Sequence, residues 1–247
     1  MTSWTNDLDD QDRHLIVLSA PHQRHPKYRK HFEAIIDFDI RLAKAIMGHD
    51  NVIVLARPQE MPFLRGSLPD DVLLPADMSD IWIRDFAPVL TTKMEQFVYR
   101  PRYLKKWEAD EARESFARFC RRYELEFEKS ELVLDGGNLV SNHKNMAVVT
   151  ERVLSDNPEW TREEIVAEIK TKLALEHVAI APQDPEDSTG HADSMVLWLS
   201  DTVLAVTDLG VACTARLDAA LTSSLPGVTV ARVPYHETTR TSRGQRR

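Results

Sequence analysis

The chain has 247 residues, a formal net charge of -8, 43% hydrophobic and 28% charged residues, which is the composition of an ordinary soluble globular protein. The acidic balance argues against nucleic acid and mildly for cationic ligands. The polar, acidic start is not a signal peptide, and no apolar run approaches the roughly 20 residues a membrane span needs. The two cysteines, Cys120 and Cys213, offer neither a disulfide framework nor a metal pattern, so a reducing cytoplasm is the expected compartment.

The first element, HLIVLSAP (14–21), is a short apolar run closed by proline and reads as a buried strand. Over 27–47, Phe32, Ile35, Ile36, Ile40, Ala43 and Ile46 recur at helical spacing, with Gly48 as a C-terminal stop. NVIVLA (51–56) is a second strand, and VLLPAD (72–77) follows a Pro-rich loop. The pattern then repeats. SDIWIRDFAPVLTT with QFVYRP, GGNLVSN with MAVVTERV, and SMVLWLS with VLAVTD each read as two strand-like runs across a short turn. Helical stretches follow at 106–123, 161–176 (with Thr161 and Glu164 as a capping-box pair) and 214–224, and the strands ELVLD, HVAIAP and VTVARVPY follow those. The unit is two hairpin strands, a helix and a strand, at an interval of roughly 50–60 residues, the range of propellers and arrays.

Each unit carries an acidic or His/Asp cluster where its hairpin begins: 80–85, 135–137 and 191–193. If the units surround an axis, these ends converge and place three carboxylates and a histidine in one pocket. In GHAD (190–193), His191 and Asp193 stand at alternate positions of an expected strand, so both should face one side. Carboxylates gathered inward repel unless a cation joins them, either a metal ion or a planar organic cation. A guanidinium presents forked N–H donors that match carboxylates in pairs, which suits Asp85 and Asp135. His191 backed by Asp193 would be a general acid/base, and Asp193 could equally be another ligand. The glycines of DGG allow positive φ or close backbone approach. Each motif also has a plainer reading: GHAD as a solvated loop-to-strand junction, Trp82 as core beside a local Arg84–Asp85 ion pair, DGGN as a turn.

Together the motifs carry a resemblance. D-x-W-x-R-D (Asp80, Trp82, Arg84, Asp85) followed by Pro88, D-G-G-N (Asp135, Gly136, Gly137, Asn138) and G-H-x-D (Gly190, His191, Asp193) resemble, in order and spacing, those of agmatine deiminases and Porphyromonas-type peptidylarginine deiminases over roughly residues 12–236. The resemblance implies a five-bladed α/β propeller (pentein) of ββαβ units, here incomplete and lacking its last unit, as a single domain over 1–236 with a polar Arg-rich tail at 237–247. It implies hydrolysis of the guanidinium C–N bond of agmatine or (peptidyl-)arginine to a ureido product and ammonia, as in polyamine metabolism. In the family a cysteine thiolate attacks the guanidinium carbon, and the histidine protonates the departing ammonia and then activates water against the thiouronium intermediate. By motif match, His191 is the acid/base with Asp193 as its partner or a third ligand, and Asp135 belongs to the catalytic set as a guanidinium ligand. Asp85, Trp82, Asp80, Arg84, Gly136, Gly137 and Asn138 fall on the substrate-binding side. No metal or cofactor is implied; the partner is a small guanidinium substrate, with a homo-oligomer left open. The family nucleophile lies near the C-terminus in the last unit, and neither Cys120 nor Cys213 matches it. Two other readings stand beside the hydrolase: a catalytically inactive guanidinium-binding protein, and a metallohydrolase using His191, Asp135 and Asp193.

Overall fold

Among the residues described by the computed structural model, 13–91, 93–208 and 211–234, the strands form four small three-stranded sheets. The Arg-rich tail expected at 237–247 lies outside the described residues. Contacts divide the chain into two units: the first runs through Ala87 and takes in Tyr103–Glu126, and the second comprises Pro88–Arg102 and the chain from Phe127 onward.

In the first unit β1 (Leu15–Ser19), β2 (Asn51–Ala56) and β3 (Leu73–Pro75) form a wholly parallel sheet in that order. Helix α1 (Phe32–Ile46) connects β1 to β2 and buries Phe32, Ile36 and Ala43 in a core with Val52, Val54 and Leu64. It starts five residues later than the spacing predicts. Lys27, Arg29 and Lys30 would oppose the positive N-terminal end of a longer helix, and 26–31 form turns instead. One turn of helix, α2 (Met61–Leu64), lies in what reads as a Pro-rich loop. The run expected to be strand-like from Asp80 holds a helical turn, α3 (Ile83–Phe86), before any strand begins. The Asp80 carboxylate accepts the N–H groups of Ile81 (2.7 Å) and Trp82 (3.3 Å), the local bonding by which aspartate starts turns.

The three sheets of the second unit share one plan. In each, the first two strands pair antiparallel and the third adds parallel to the second. They are β4 (Val89–Leu90), β5 (Met94–Val98) and β6 (Glu128–Val133); β7 (Leu139–Ser141), β8 (Met146–Thr150) and β9 (His177–Ala181); and β10 (Val196–Trp198), β11 (Val203–Thr207) and β12 (Thr229–Val233). The chain passes through α4 (Lys106–Arg122), which the contacts assign to the first unit, between β5 and β6. Between β8 and β9 it passes through α5 (Arg152–Asp156) and α6 (Arg162–Leu173), and between β11 and β12 through α7 (Val211–Ser224). The ββαβ unit read from the sequence is therefore the repeat of this α/β fold. Parallel strands need such a crossover, whereas the hairpin needs only a turn. Thr161 caps α6 by accepting from the Glu164 N–H, and Glu164 reaches back to the Thr161 N–H.

Two short segments differ from the strands expected of them, and both matter for the site. Ala192–Ser194 forms a 3-10 turn, so His191 and Asp193 do not share a strand face: His191 is 5% exposed and Asp193 is exposed. The end of the TERV run is helix α5, not strand. Thr150 Oγ accepts from the Arg152 N–H (3.3 Å), which turns the chain as β8 ends.

Candidate active site

Asp135 ends the segment after β6 and leads into a 3-10 turn, Gly136–Asn138, at the entrance to β7. His191 leads into the equivalent turn one repeat later, at the entrance to β10, and the two turns pack together. This contact buries both side chains: Asp135 is 4% exposed, and its Oδ2 lies 3.2 Å from His191 Nε2. Two of the three clusters read from the repeat thus meet. A buried carboxylate against an imidazole favours the imidazolium once a proton arrives, which is what a general acid/base needs from its neighbour.

The pair is held by bonds to surrounding backbone. Asp135 Oδ1 accepts the Arg100 N–H at 3.2 Å. Asn138 is 2% exposed, and its Oδ1 accepts the Thr150 N–H (2.9 Å), tying the DGGN turn to the end of β8. On the other side Thr150 Oγ donates to the Gly190 carbonyl (2.6 Å). Asp187 gathers the turn that carries His191, accepting the N–H groups of Thr189 (2.9 Å) and His191 (3.1 Å) and the hydroxyls of Thr189 and Ser194. Burial raises its carboxyl, but these donors outweigh burial and hold it below the usual carboxylate range. Positive φ falls on Gly190 (65°) rather than on Gly136 or Gly137. A Cβ there would also lie 2.9 Å from Gln183 Oε1 and 3.2 Å from Arg152 Cδ, so a side chain at 190 would be strained by its backbone and would press on these two neighbours.

Arg152, at the start of α5, is the member that motif reasoning missed. Its guanidinium, 5% exposed, forms an ion pair with Asp135 Oδ2 (3.6 Å), donates through Nε to Asp156 (2.8 Å) and bonds through Nη1 to the Thr189 carbonyl. Asp156 in turn accepts from Arg102 (2.9 and 3.2 Å). One signal was available: an arginine between the apolar runs MAVV and VL, where burial demands a partner.

The D-x-W-x-R-D residues belong to the first unit. Asp80 accepts from the Tyr28 hydroxyl as well as from Ile81 and Trp82, pairs with Lys27 (3.5 Å), and its carbonyl accepts from Ser19 (3.0 Å). Trp82 is 56% exposed, so it is not core, and Arg84 is exposed while Asp85 is half-buried. Cys120 is buried in α4, and burial pushes its thiol up to about 11; burial also raises Cys213, on α7. Neither environment favours a thiolate. Among the described residues no group of three or more His, Cys, Asp or Glu side chains is arranged to hold a metal ion.

The arrangement of small ββαβ sheets is a fold already seen in solved structures. The agmatine deiminase of C. jejuni superposes with a TM-score of 0.75 at 16% identity, over 94% of this chain and 74% of that one. A Cys-to-Ser variant of the same enzyme with substrate bound gives 0.72 at 14% identity, over 94% and 74%. Among curated proteins, the agmatine deiminase of Stutzerimonas stutzeri is 26% identical over 191 residues, 68% of this chain and 51% of that protein. The chain spans about half the length of the curated relatives it matches. Residues 7–223 match the model of the Porphyromonas-type peptidyl-arginine deiminase family, and the chain belongs to that family.

Proposed function

We propose that the chain acts on a guanidinium C–N bond, converting agmatine or a (peptidyl-)arginine and water to a ureido product and ammonia. The observation that carries this reading is the buried Asp135–His191 contact at 3.2 Å in a chain of this family. His191 would deliver a proton to the departing ammonia and recover one from the attacking water, with Asp135 stabilising the imidazolium before the delivery and after the recovery. Asp193 would add a carboxylate to hold the guanidinium; by motif match Asp85 and Trp82 fall on the substrate-binding side, and the exposed ring of Trp82 offers an aromatic face of the kind that favours a cation. Asp80, Arg84, Gly136, Gly137 and Asn138 would shape the two turns that present these groups. The same reading takes 1–236 as one deiminase-like domain in a cytoplasmic protein; no helix among the described residues is long and apolar enough to cross a membrane.

A second reading is favoured by the thiols. With both raised by burial, neither cysteine is suited to nucleophilic attack, and the chain would then capture guanidinium ligands without turning them over. One experiment separates the two. The purified chain is incubated with agmatine and with arginine, ammonia and ureido product are assayed, and binding is measured by calorimetry. Product formation supports the hydrolase; saturable binding without product, abolished in Asp85→Ala, supports the binding protein. Neither binding nor product defeats both.

A further inference from the structure

The second unit holds an open cavity of about 430 Å³ whose lining includes none of the motif residues. It lies where the end of β9 and the start of α6 meet α7. Ile180 and Pro182, both buried, form its base, and Ala220 of α7 contributes a wall. Its mouth is charged: Arg162 stands at the first position of α6, Arg216 on α7, and Glu151 directly after β8. We propose that this cavity is a binding site for a small organic oxyanion, a carboxylate or phosphate group carried on a short aliphatic body.

The charges at the mouth select the sign of the ligand. Two guanidiniums face one carboxylate, so the lining is net positive. Arg162 is exposed and has neither a hydrogen bond nor an ion pair among the described residues. Arg216 gives only Nη2 to Glu151, at 2.8 Å from each oxygen, which leaves its Nε and Nη1 without a partner among the described residues. That ion pair is open to water, the arginine side chain 63% exposed and the glutamate 37%. Pairs so placed contribute little, so Arg216 can turn the free edge of its fork to a ligand at small cost. A guanidinium fork matches the oxygens of a carboxylate or phosphate two at a time. The apolar base favours an aliphatic body beside the charge, and the volume is that of a small-molecule site. The same lining repels a guanidinium or an ammonium, so the substrate proposed above is not its occupant. Glu151 itself points away from the aspartate–histidine pair. Its neighbours Thr150 and Arg152 turn to the Gly190 carbonyl and to Asp135, whereas its carboxylate goes to Arg216.

The test is calorimetric titration of the purified chain with succinate, glycerol phosphate and inorganic phosphate, at ionic strength held constant with chloride. At least one organic probe is expected to saturate, and to bind about tenfold more tightly than inorganic phosphate, the gain from burying about two methylene groups. Saturation by succinate alone identifies a carboxylate ligand, and saturation by glycerol phosphate alone a phosphate ester; either supports the site. Arg162→Met, an exposed change whose folding is checked by thermal unfolding, is expected to weaken that binding about tenfold. Glu151→Gln removes the competing carboxylate and is expected to tighten it about threefold. The proposal is overturned if no probe saturates by about 10 mM, where a site of about 1 mM affinity is mostly filled. Inorganic phosphate binding as tightly as the organic probes overturns it too, because the apolar base then plays no part. So does unchanged affinity in folded Arg162→Met, or unchanged or weaker affinity in Glu151→Gln. If Arg162→Met does not fold, Glu151→Gln decides. None of these readings requires turnover, so failure of the deiminase assay leaves the result intact.

Discussion

The two units bury aspartates in opposite ways. In the first, Asp39 lies on the inward face of α1 at 7% exposure, with Oδ2 lacking a hydrogen-bond partner among the described residues; burial pushes its carboxyl up to about 7. In the second, Asp135 is 4% exposed yet faces a backbone N–H, an imidazole and a guanidinium. A carboxylate taken out of water either acquires partners or takes up a proton. Which of these happens separates a structural oddity from a site. Only the partnered aspartate is fixed in place by groups that face its oxygens, so only it can hold a histidine for proton transfer.

Breaking Asp135 tests the contrast most severely. Asp135→Ala leaves Arg152 buried beside a lost partner, and we expect a loss of about 3–5 kcal/mol in urea unfolding; a loss under about 1 kcal/mol would mean that the network is not coupled as described. The opposite sign is expected at Asp39. Because its folded pKa is raised, its cost is absent below the unfolded value near 4, grows as pH rises and is complete above about 7. Asp39→Asn should therefore stabilise the protein at pH 8, by about 2 kcal/mol, and have no such effect at pH 4. Equal effects at the two pH values would show that the carboxyl does not titrate in this range. A smaller effect belongs to Thr161→Ala, which removes the cap of α6 and should cost about 1 kcal/mol in thermal unfolding. Smallest of all is Trp82→Ala. With the ring 56% exposed, the change in stability should stay within about 0.5 kcal/mol, while guanidinium affinity measured by calorimetry falls. A large loss of stability there would return Trp82 to the core.

Particular residues show how far the sequence could be read. The ββαβ repeat was legible because a hairpin, an amphipathic helix and a buried strand each have their own period, and three successive copies stand at 89–133, 139–181 and 196–233. The Thr161 capping box was legible for the same local reason. The turns were less so. GHAD resembles the start of a strand, yet its conformation follows from Asp187, four residues upstream, which collects the His191 N–H and the Ser194 hydroxyl. Likewise α1 begins late because of a basic cluster whose effect depends on where the helix starts.

By itself the sequence determined the repeat, the positions of its acidic entrances and the candidacy of His191 and Asp135, because periodicity and spacing are local properties of the chain. It could not say that Asp135 would meet His191 through Nε2 at 3.2 Å, or that Arg152 would complete the group. Residues 135, 152 and 191 are brought together by the packing of successive sheets and the turns that lead into them. The requirement that a buried carboxylate be neutralised then selects which of the neighbouring groups become its partners. That selection is made by tertiary contact, and no period in the chain encodes it.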